Sequence, residues 1–202
     1  MSIETISFKR RRLPHWNVHG KAYFVTFRLR NSLPEEVVLR LKRQRDVLLS
    51  KEDNVEELYE FQRHEFKEIE IILDSVSNEK NAYLTRDDIA PVLMDAFAHL
   101  SNKYCWRFPS FVIMPNHVHC LCVADKVGEK ASLSKIFGLF KQFTGREINK
   151  VIKKAGNRVW VDENFDHWCR TADKEESVKR YIANNPVKAG LVKDSREWKW
   201  KK

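Results

Sequence analysis

The chain has 202 residues, with 37 lysines and arginines against 28 aspartates and glutamates, which gives a formal net charge of +9. Hydrophobic residues make up 43% and charged residues 32%, which excludes a disordered or low-complexity polymer. No apolar run approaches the roughly 18 residues that a bilayer span needs, and no apolar signal segment follows the basic start of the chain. We therefore expect one soluble, cytoplasmic domain over residues 1–202 that has no membrane partner.

The basic amino end, residues 1–18, predicts a nucleic-acid contact. It contains Arg10, Arg11 and Arg12, followed by His15 and Trp16. Cationic side chains bind phosphates by releasing counterions, and an aromatic ring beside them can stack on an unpaired base. We expect these residues to form a DNA-binding arm. The alternatives are a solvated tail and a His15 side chain that only packs against Trp16.

The first half of the chain predicts one strand followed by helices. Residues 23–29 are rich in strand formers and lie between a glycine and a turn cluster. From Glu35 to Ser75 charged helix formers dominate, and Phe66, Ile69 and Leu73 follow a helical spacing, with a division into two helices near residues 53–54. A further helix is expected over residues 89–102, and a strand over residues 111–123.

The second half predicts two more helices. The first covers residues 133–154 and has a basic face that includes Lys141 and Arg146, so it can lie against a phosphate backbone. A short strand is expected at residues 159–161. The last helix covers residues 173–186, where Asp173 and Glu176 resemble a capping box and Pro186 marks the end. The order is mixed α and β, without repeats.

The most specific feature is a His-x-His pair on a predicted strand. Alternation places His117 and His119 on one face, where two imidazoles can bind one metal ion. Cys120 and Cys122 point the other way, which favours buried thiols over zinc ligands. The His-x-His-x-Asp-His pattern of metallohydrolases fails, because Leu121 and Cys122 occupy its last two positions. Simple packing of the two histidines remains the alternative.

A third ligand is available near the carboxyl end of the last predicted helix. Asn185 follows Tyr181 by four residues, so an amide oxygen and a phenol share one helix face. Such an amide can join two imidazoles around a metal ion that prefers oxygen. The alternative is that Tyr181 belongs to the core and Asn185 only caps the helix.

These residues carry a resemblance to a known family. The His117–His119 strand, Tyr181 with Asn185, and the early segments at residues 13–16 and 23–27 resemble the HUH single-tyrosine transposases. Within them the chain is most similar to the REP-associated tyrosine transposases. The likeness runs in order along nearly the whole chain and includes the segments at residues 114–119, 159–160 and 181–192.

The resemblance implies a fold and an activity. The implied fold is α+β, with a central antiparallel sheet of ferredoxin-like or RRM-like type, helices on one side and an added helical insertion over residues 35–82. The implied enzyme is a nuclease and strand transferase that acts on single-stranded DNA at a REP-like hairpin. Mg²⁺ or Mn²⁺ would be bound by His117, His119 and Asn185, and Tyr181 on the catalytic helix would form a 5′-phosphotyrosyl intermediate. The resemblance allows a monomer or a homodimer.

Two other functions remain open at this point. One is a domesticated protein that binds hairpin DNA or RNA without cutting it. The other is a protein stabilised by zinc, held by cysteines together with His117 or His119.

Overall fold

A computed structural model describes residues 5–10, 14–18, 20–50, 55–75, 81–124, 132–162 and 164–202. The strands are β1 (Thr5–Arg10), β2 (Pro14–Val18), β3 (Ala22–Arg28), β4 (Trp106–Ile113), β5 (His117–Ala124) and β6 (Phe165–Trp168). The helices are α1 (Glu35–Leu49), α2 (Val55–Ser75), α3 (Ala90–Tyr104), α4 (Leu133–Val151) and α5 (Ala172–Lys188). In this described part, none of the helices combines the length and apolar composition needed to span a membrane.

A four-stranded antiparallel sheet organises the fold. Its strand order is β4-β5-β3-β6, and β1 and β2 form a separate antiparallel pair. The predicted α+β class and antiparallel sheet are confirmed. The strand that carries the two histidines, β5, has a neighbour on both sides, so its side chains project into covered layers above and below the sheet.

Residues 111–123, predicted as one strand, belong to two. β4 ends at Ile113 and β5 begins at His117, and the amide N–H of Met114 donates to the carbonyl of His117 at 2.9 Å. Pro115 lies in the turn. Because proline has no N–H to offer a ladder, it stops the strand there. The tight turn fixes where β5 starts and therefore which face receives the histidines.

One face of the sheet is covered by α3 and α4. Phe27 of β3 stacks on Phe140 of α4 at 4.6 Å between ring centroids, and Phe140 stacks on Phe97 of α3 at 4.8 Å. Cys120 and Cys122 are fully buried in the same layer. These closely packed apolar side chains form the larger core. The polar side chains of β5 lie on the opposite face of the sheet, outside this core.

The opposite face of the sheet is covered by α5 and α2, so helices lie on both sides of the sheet and not on one side as predicted. Val178 and Ile182 of α5 pack with Phe24 of β3 and Leu121 of β5, and Phe66 of α2 contacts the same cluster. This smaller apolar layer surrounds the histidine side of β5, so α2 and α5 form the walls of any site built there.

Helix α5 differs slightly from its predicted bounds of residues 173–186. It starts at Ala172 after Thr171, whose hydroxyl accepts a hydrogen bond from the N–H of Lys174 at 3.1 Å. It continues through Pro186 to Lys188. Proline removes a single helical N–H, and the next turn is kept because the N–H of Ala189 donates to the carbonyl of Asn185 at 2.9 Å.

The charged segment after β3 forms the two predicted helices, α1 and α2. Arg40 and Arg45 of α1 pair with Glu68 and Glu65 of α2. The buried side of α2 is unusual because it includes carboxylates: Glu65 is 6% exposed and Glu70 only 3%. Acidic side chains are rarely buried without a partner. Glu65 has Arg45 as its partner, whereas the partners of Glu70 lie on other elements than α1.

Candidate functional site

The two histidines lie side by side beneath α2 and α5. In the strand register His119 faces Thr26 and His117 faces Arg28, so all four belong to the same face of the sheet. Both imidazoles are fully buried, and their Nε2 atoms are 3.0 Å apart. The predicted pairing of His117 with His119 on one strand face is therefore observed.

Neighbouring polar groups hold both rings in place. The side-chain nitrogen of Asn116 donates to the carbonyl of Leu73 at 3.0 Å, so its oxygen faces Nδ1 of His117 at 2.7 Å. Nδ1 of His117 must then carry the proton, which leaves a lone pair on Nε2. Nδ1 of His119 is held by the hydroxyl of Thr26 at 2.9 Å. Partners of this kind orient histidine ligands in metal sites.

Glu70 completes a three-residue cluster that the sequence did not predict. Its Oε2 lies 3.0 Å from Nε2 of His119, and the potential ligand atoms of Glu70, His117 and His119 all lie within 4.8 Å of one another. Glu70 occurs 47 positions before His117, so no local motif links them. A signal existed, because Glu70 follows Phe66 by four residues and therefore lies on the buried stripe of its helix.

Tyr181 of α5 reaches the same cluster. Its phenol donates a hydrogen bond to Oε2 of Glu70, and its ring centroid is 5.6 Å from that of His119. The ring packs edge-on against Phe24 at 5.7 Å. The structure thus places Tyr181 next to both histidines, which is the arrangement that the resemblance to the transposases implies.

Asn185 is also beside the histidines, one helical turn after Tyr181. It is fully buried and close enough to affect the pKa values of His117 and Tyr181. Neither its side-chain oxygen nor its nitrogen has a hydrogen-bond partner among the described residues. A buried carboxamide without partners is costly unless a ligand satisfies it.

The ionisation of the cluster suits a cation. Burial lowers the pKa of His117 to about 3, with the charge of His119 adding to the effect, so His117 is neutral near pH 7. Burial opposes ionisation of Glu70, but His119, His117 and Tyr181 outweigh it and hold the carboxyl pKa at about 2. Two close imidazoles and a carboxylate offer electron pairs to one point, and Oε1 of Glu70 has no partner among the described residues. This donor set fits a divalent metal ion.

The pKa of Tyr181 is shifted in the direction that opposes phenolate formation. Burial raises it, and the negative charge and hydrogen bond of Glu70 raise it further, well above the usual value. A positive charge near Glu70 would offset the negative charge of that carboxylate and so oppose its effect on the pKa of Tyr181.

The cysteines do not join the cluster. Cys120 and Cys122 lie in the layer on the other side of the sheet, and the metal-compatible group found among the described residues consists of Glu70, His117 and His119. Nothing in the described geometry therefore supports the zinc–cysteine alternative.

The residues predicted to bind DNA either lie away from the histidine cluster or have side chains that the structure does not describe. Arg11 and Arg12 fall outside the described residues. Arg10 belongs to β1, and His15 and Trp16 belong to β2, for which only the backbone is described.

Lys141 and Arg146 are on α4, across the sheet from the histidines. Lys141 donates to the carbonyls of Val161 and Asp162 at 2.6 and 2.9 Å, and Arg146 pairs with Glu147. Their contact with DNA stays a prediction.

The chain is similar to proteins already known. Residues 65–185 match the family described as transposase IS200 like. An uncharacterized protein of Haemophilus influenzae is 30% identical, over 42% of this chain and 62% of that protein, so the match spans less than two thirds of the relative. The solved structure of a REP-associated tyrosine transposase bound to a REP hairpin is 17% identical, with a TM-score of 0.58, over 97% of this chain and 82% of that one.

The structural likeness shows a shared fold, and the family match covers more than half of the chain, including both histidines and Tyr181. The resemblance noted in the sequence is confirmed, and the chain belongs to the IS200-like transposase family.

Proposed function

We propose that this protein is a metal-dependent endonuclease and strand transferase that acts on single-stranded DNA beside a hairpin. The observation that carries the proposal is the convergence of Tyr181, Glu70 and the two histidines, contributed by α5, α2 and β5, at one buried point. The REP-associated transposase that shares the fold is bound to a REP hairpin, which supports hairpin DNA as the partner.

His117, His119 and Glu70 would hold the cation, with the carboxamide of Asn185 as a further oxygen donor. When bound there, Mg²⁺ or Mn²⁺ supplies Lewis-acid polarisation of the scissile phosphate and positive charge that favours the phenolate of Tyr181. The resemblance to the REP-associated transposases implied Asn185 as the third ligand. The distances favour Glu70 for that place, because its oxygen already lies against His119.

Tyr181 would act as the nucleophile. Its phenolic oxygen forms a bond to phosphorus while the bond from phosphorus to the 3′ oxygen breaks, which leaves the downstream DNA attached through a 5′-phosphotyrosyl link. Glu70 accepts the phenolic hydrogen bond and so orients the attacking oxygen. The phenolic proton passes to water, and water supplies a proton to the departing 3′ oxygen. Joining is the reverse reaction, with a 3′-hydroxyl attacking the phosphotyrosine.

An adduct assay tests this function. A hairpin oligonucleotide with unpaired tails is labelled at its 3′ end and incubated with Mn²⁺ or Mg²⁺, and the label is expected to move with the protein in a denaturing gel. The Tyr181→Phe variant should form no adduct but still bind the hairpin. Tyr104→Phe, on α3 across the sheet, is the matched control and should form the adduct normally.

Three outcomes would refute the assignment. An adduct that persists in Tyr181→Phe would exclude this nucleophile, and a full yield in the presence of a chelator would exclude the metal. Tight hairpin binding with no adduct under any condition would favour the non-cleaving binding protein instead.

A further inference from the structure

A groove borders the proposed active site between α2, β6 and α5. It has a volume of about 730 Å³, and Tyr181 and Glu70 are part of its lining. The groove therefore leads to the proposed nucleophile, and a polymer lying in it would pass the phenol.

The groove is cationic on balance: five lysines and arginines line it, of which Lys188 pairs with Asp74 and Arg63 with Glu60. Arg63 and Lys67 line it from α2, Lys174 and Lys188 from α5, and Arg170 from the segment before α5, whereas Glu70 is the acidic residue among the described lining. The positive charges are felt within the groove: besides burial, the charges of Lys174, Arg170 and Arg63 lower the pKa of His167 to about 4. A surface of this sign attracts a polyanion.

Aromatic rings form the apolar part of the same groove. Phe66 of α2 stacks on Phe165 of β6 with 4.0 Å between ring centroids and an angle of 22°. Both rings are partly exposed, and Phe24 lies beside them. Rings next to cations are the combination that binds single strands, because unpaired bases can stack while the phosphates contact lysine and arginine.

We propose that this groove holds the unpaired DNA strand that runs to the scissile phosphate, with α2 as one wall and the Phe66–Phe165 pair as a stacking surface for a base. The proposal rests on the proposed function, since it assigns the substrate strand of the same active site. It also gives the helical segment after β3 a direct role in substrate binding. Paired bases cannot reach the rings, so the groove should prefer single strands over a blunt duplex.

Binding measurements test the groove directly. A fluorescent oligothymidylate of about 15 nucleotides is titrated with the wild type and with Lys67→Glu, Lys174→Glu and the double variant. Each charge reversal should weaken binding about 3- to 10-fold, and the slope of log affinity against log salt should become shallower by about 0.7 for each phosphate that the variant no longer neutralises. Lys103→Glu on α3 is the matched control and should bind as the wild type does.

The aromatic contribution has its own test. Phe66→Leu and Phe165→Leu keep an apolar side chain but remove the ring, and each should weaken oligothymidylate binding about tenfold while thermal unfolding shows that the fold persists. A blunt hairpin of equal charge is the comparison ligand. Equal losses for the blunt hairpin would mean a general phosphate-binding surface and would overturn the single-strand assignment.

The groove and the proposed chemistry can fail separately. If the lysine and phenylalanine variants bind oligothymidylate as tightly as the wild type does while the Tyr181 adduct still forms, the groove proposal is wrong and the function stands. If no adduct forms but the groove variants lose binding in the expected order, the groove is a single-strand site in a protein that does not cut.

Discussion

The carboxylate of Glu70 accepts a hydrogen bond from the phenol of Tyr181 across 111 positions of the chain. The same oxygen lies 3.0 Å from His119. One acidic side chain on α2 therefore links the proposed nucleophile to the proposed metal ligands.

This link predicts a metal-binding defect in Glu70→Gln. Glutamine has nearly the same shape and can still accept the hydrogen bond of Tyr181, but it removes the negative charge that would balance a divalent cation. Affinity for Mn²⁺, followed by isothermal titration calorimetry, should fall at least about tenfold. Glu68→Gln, a partly exposed carboxylate on the same helix that pairs with Arg40, is the control and should bind Mn²⁺ normally. Unchanged affinity in Glu70→Gln would remove Glu70 from the ligand set.

Thr26 is predicted to position His119. Its hydroxyl lies 2.9 Å from Nδ1 of the imidazole, and the residue is only 4% exposed, so Thr26→Val leaves that nitrogen without its partner. Mn²⁺ affinity should fall about 10-fold, whereas the strand itself should persist because valine is a good strand former. Thr26→Ser restores the hydroxyl and should recover most of the affinity. A Ser variant as weak as the Val variant would mean that packing, not the hydrogen bond, causes the loss.

The histidine pair could be predicted from the sequence because side chains on a strand alternate between its two faces. Residues two apart therefore share a face, wherever the strand lies in the fold. The sequence did not reveal Glu70, since that contact depends on how α2 docks on the sheet, and docking is set by apolar contacts such as those of Phe66 far from β5 in the chain. The turn at Pro115 was missed because residues typical of strands lie on both sides of it, at positions 111–113 and 118–123. The prediction followed the pattern of strand formers and gave too little weight to Pro115, which cannot donate a hydrogen bond to a strand ladder.

The four thiols should differ sharply in reactivity. Cys105 is partly exposed, whereas Cys120 and Cys122 are fully buried and Cys169 is 3% exposed. Burial raises the pKa of the Cys122 thiol, and burial followed by the charge of Glu175 raises that of Cys169 to about 11, so little thiolate forms at either.

A thiol reagent applied to the native protein should therefore modify one cysteine rapidly and the rest only after unfolding. Cys105→Ser should abolish the fast phase. If a chelator instead made two or more slow thiols reactive without unfolding the protein, a zinc–cysteine site would be indicated.

His167 gives a pH-dependent signature of the groove. Burial, then Lys174, Arg170 and Arg63, lower its folded-state pKa from 6.5 to about 4. The unfolded chain therefore takes up this proton more readily, and the stability of the folded state falls as the pH decreases from about 6.5 towards 4. His167→Gln should make unfolding by urea less dependent on pH across that window. The phosphates of a bound strand would offset the surrounding cations, so oligothymidylate should raise the His167 pKa, observed by NMR titration of its ring protons. A His167 midpoint near 6.5 in the free protein, or one that the strand leaves unmoved, would contradict this account of the groove.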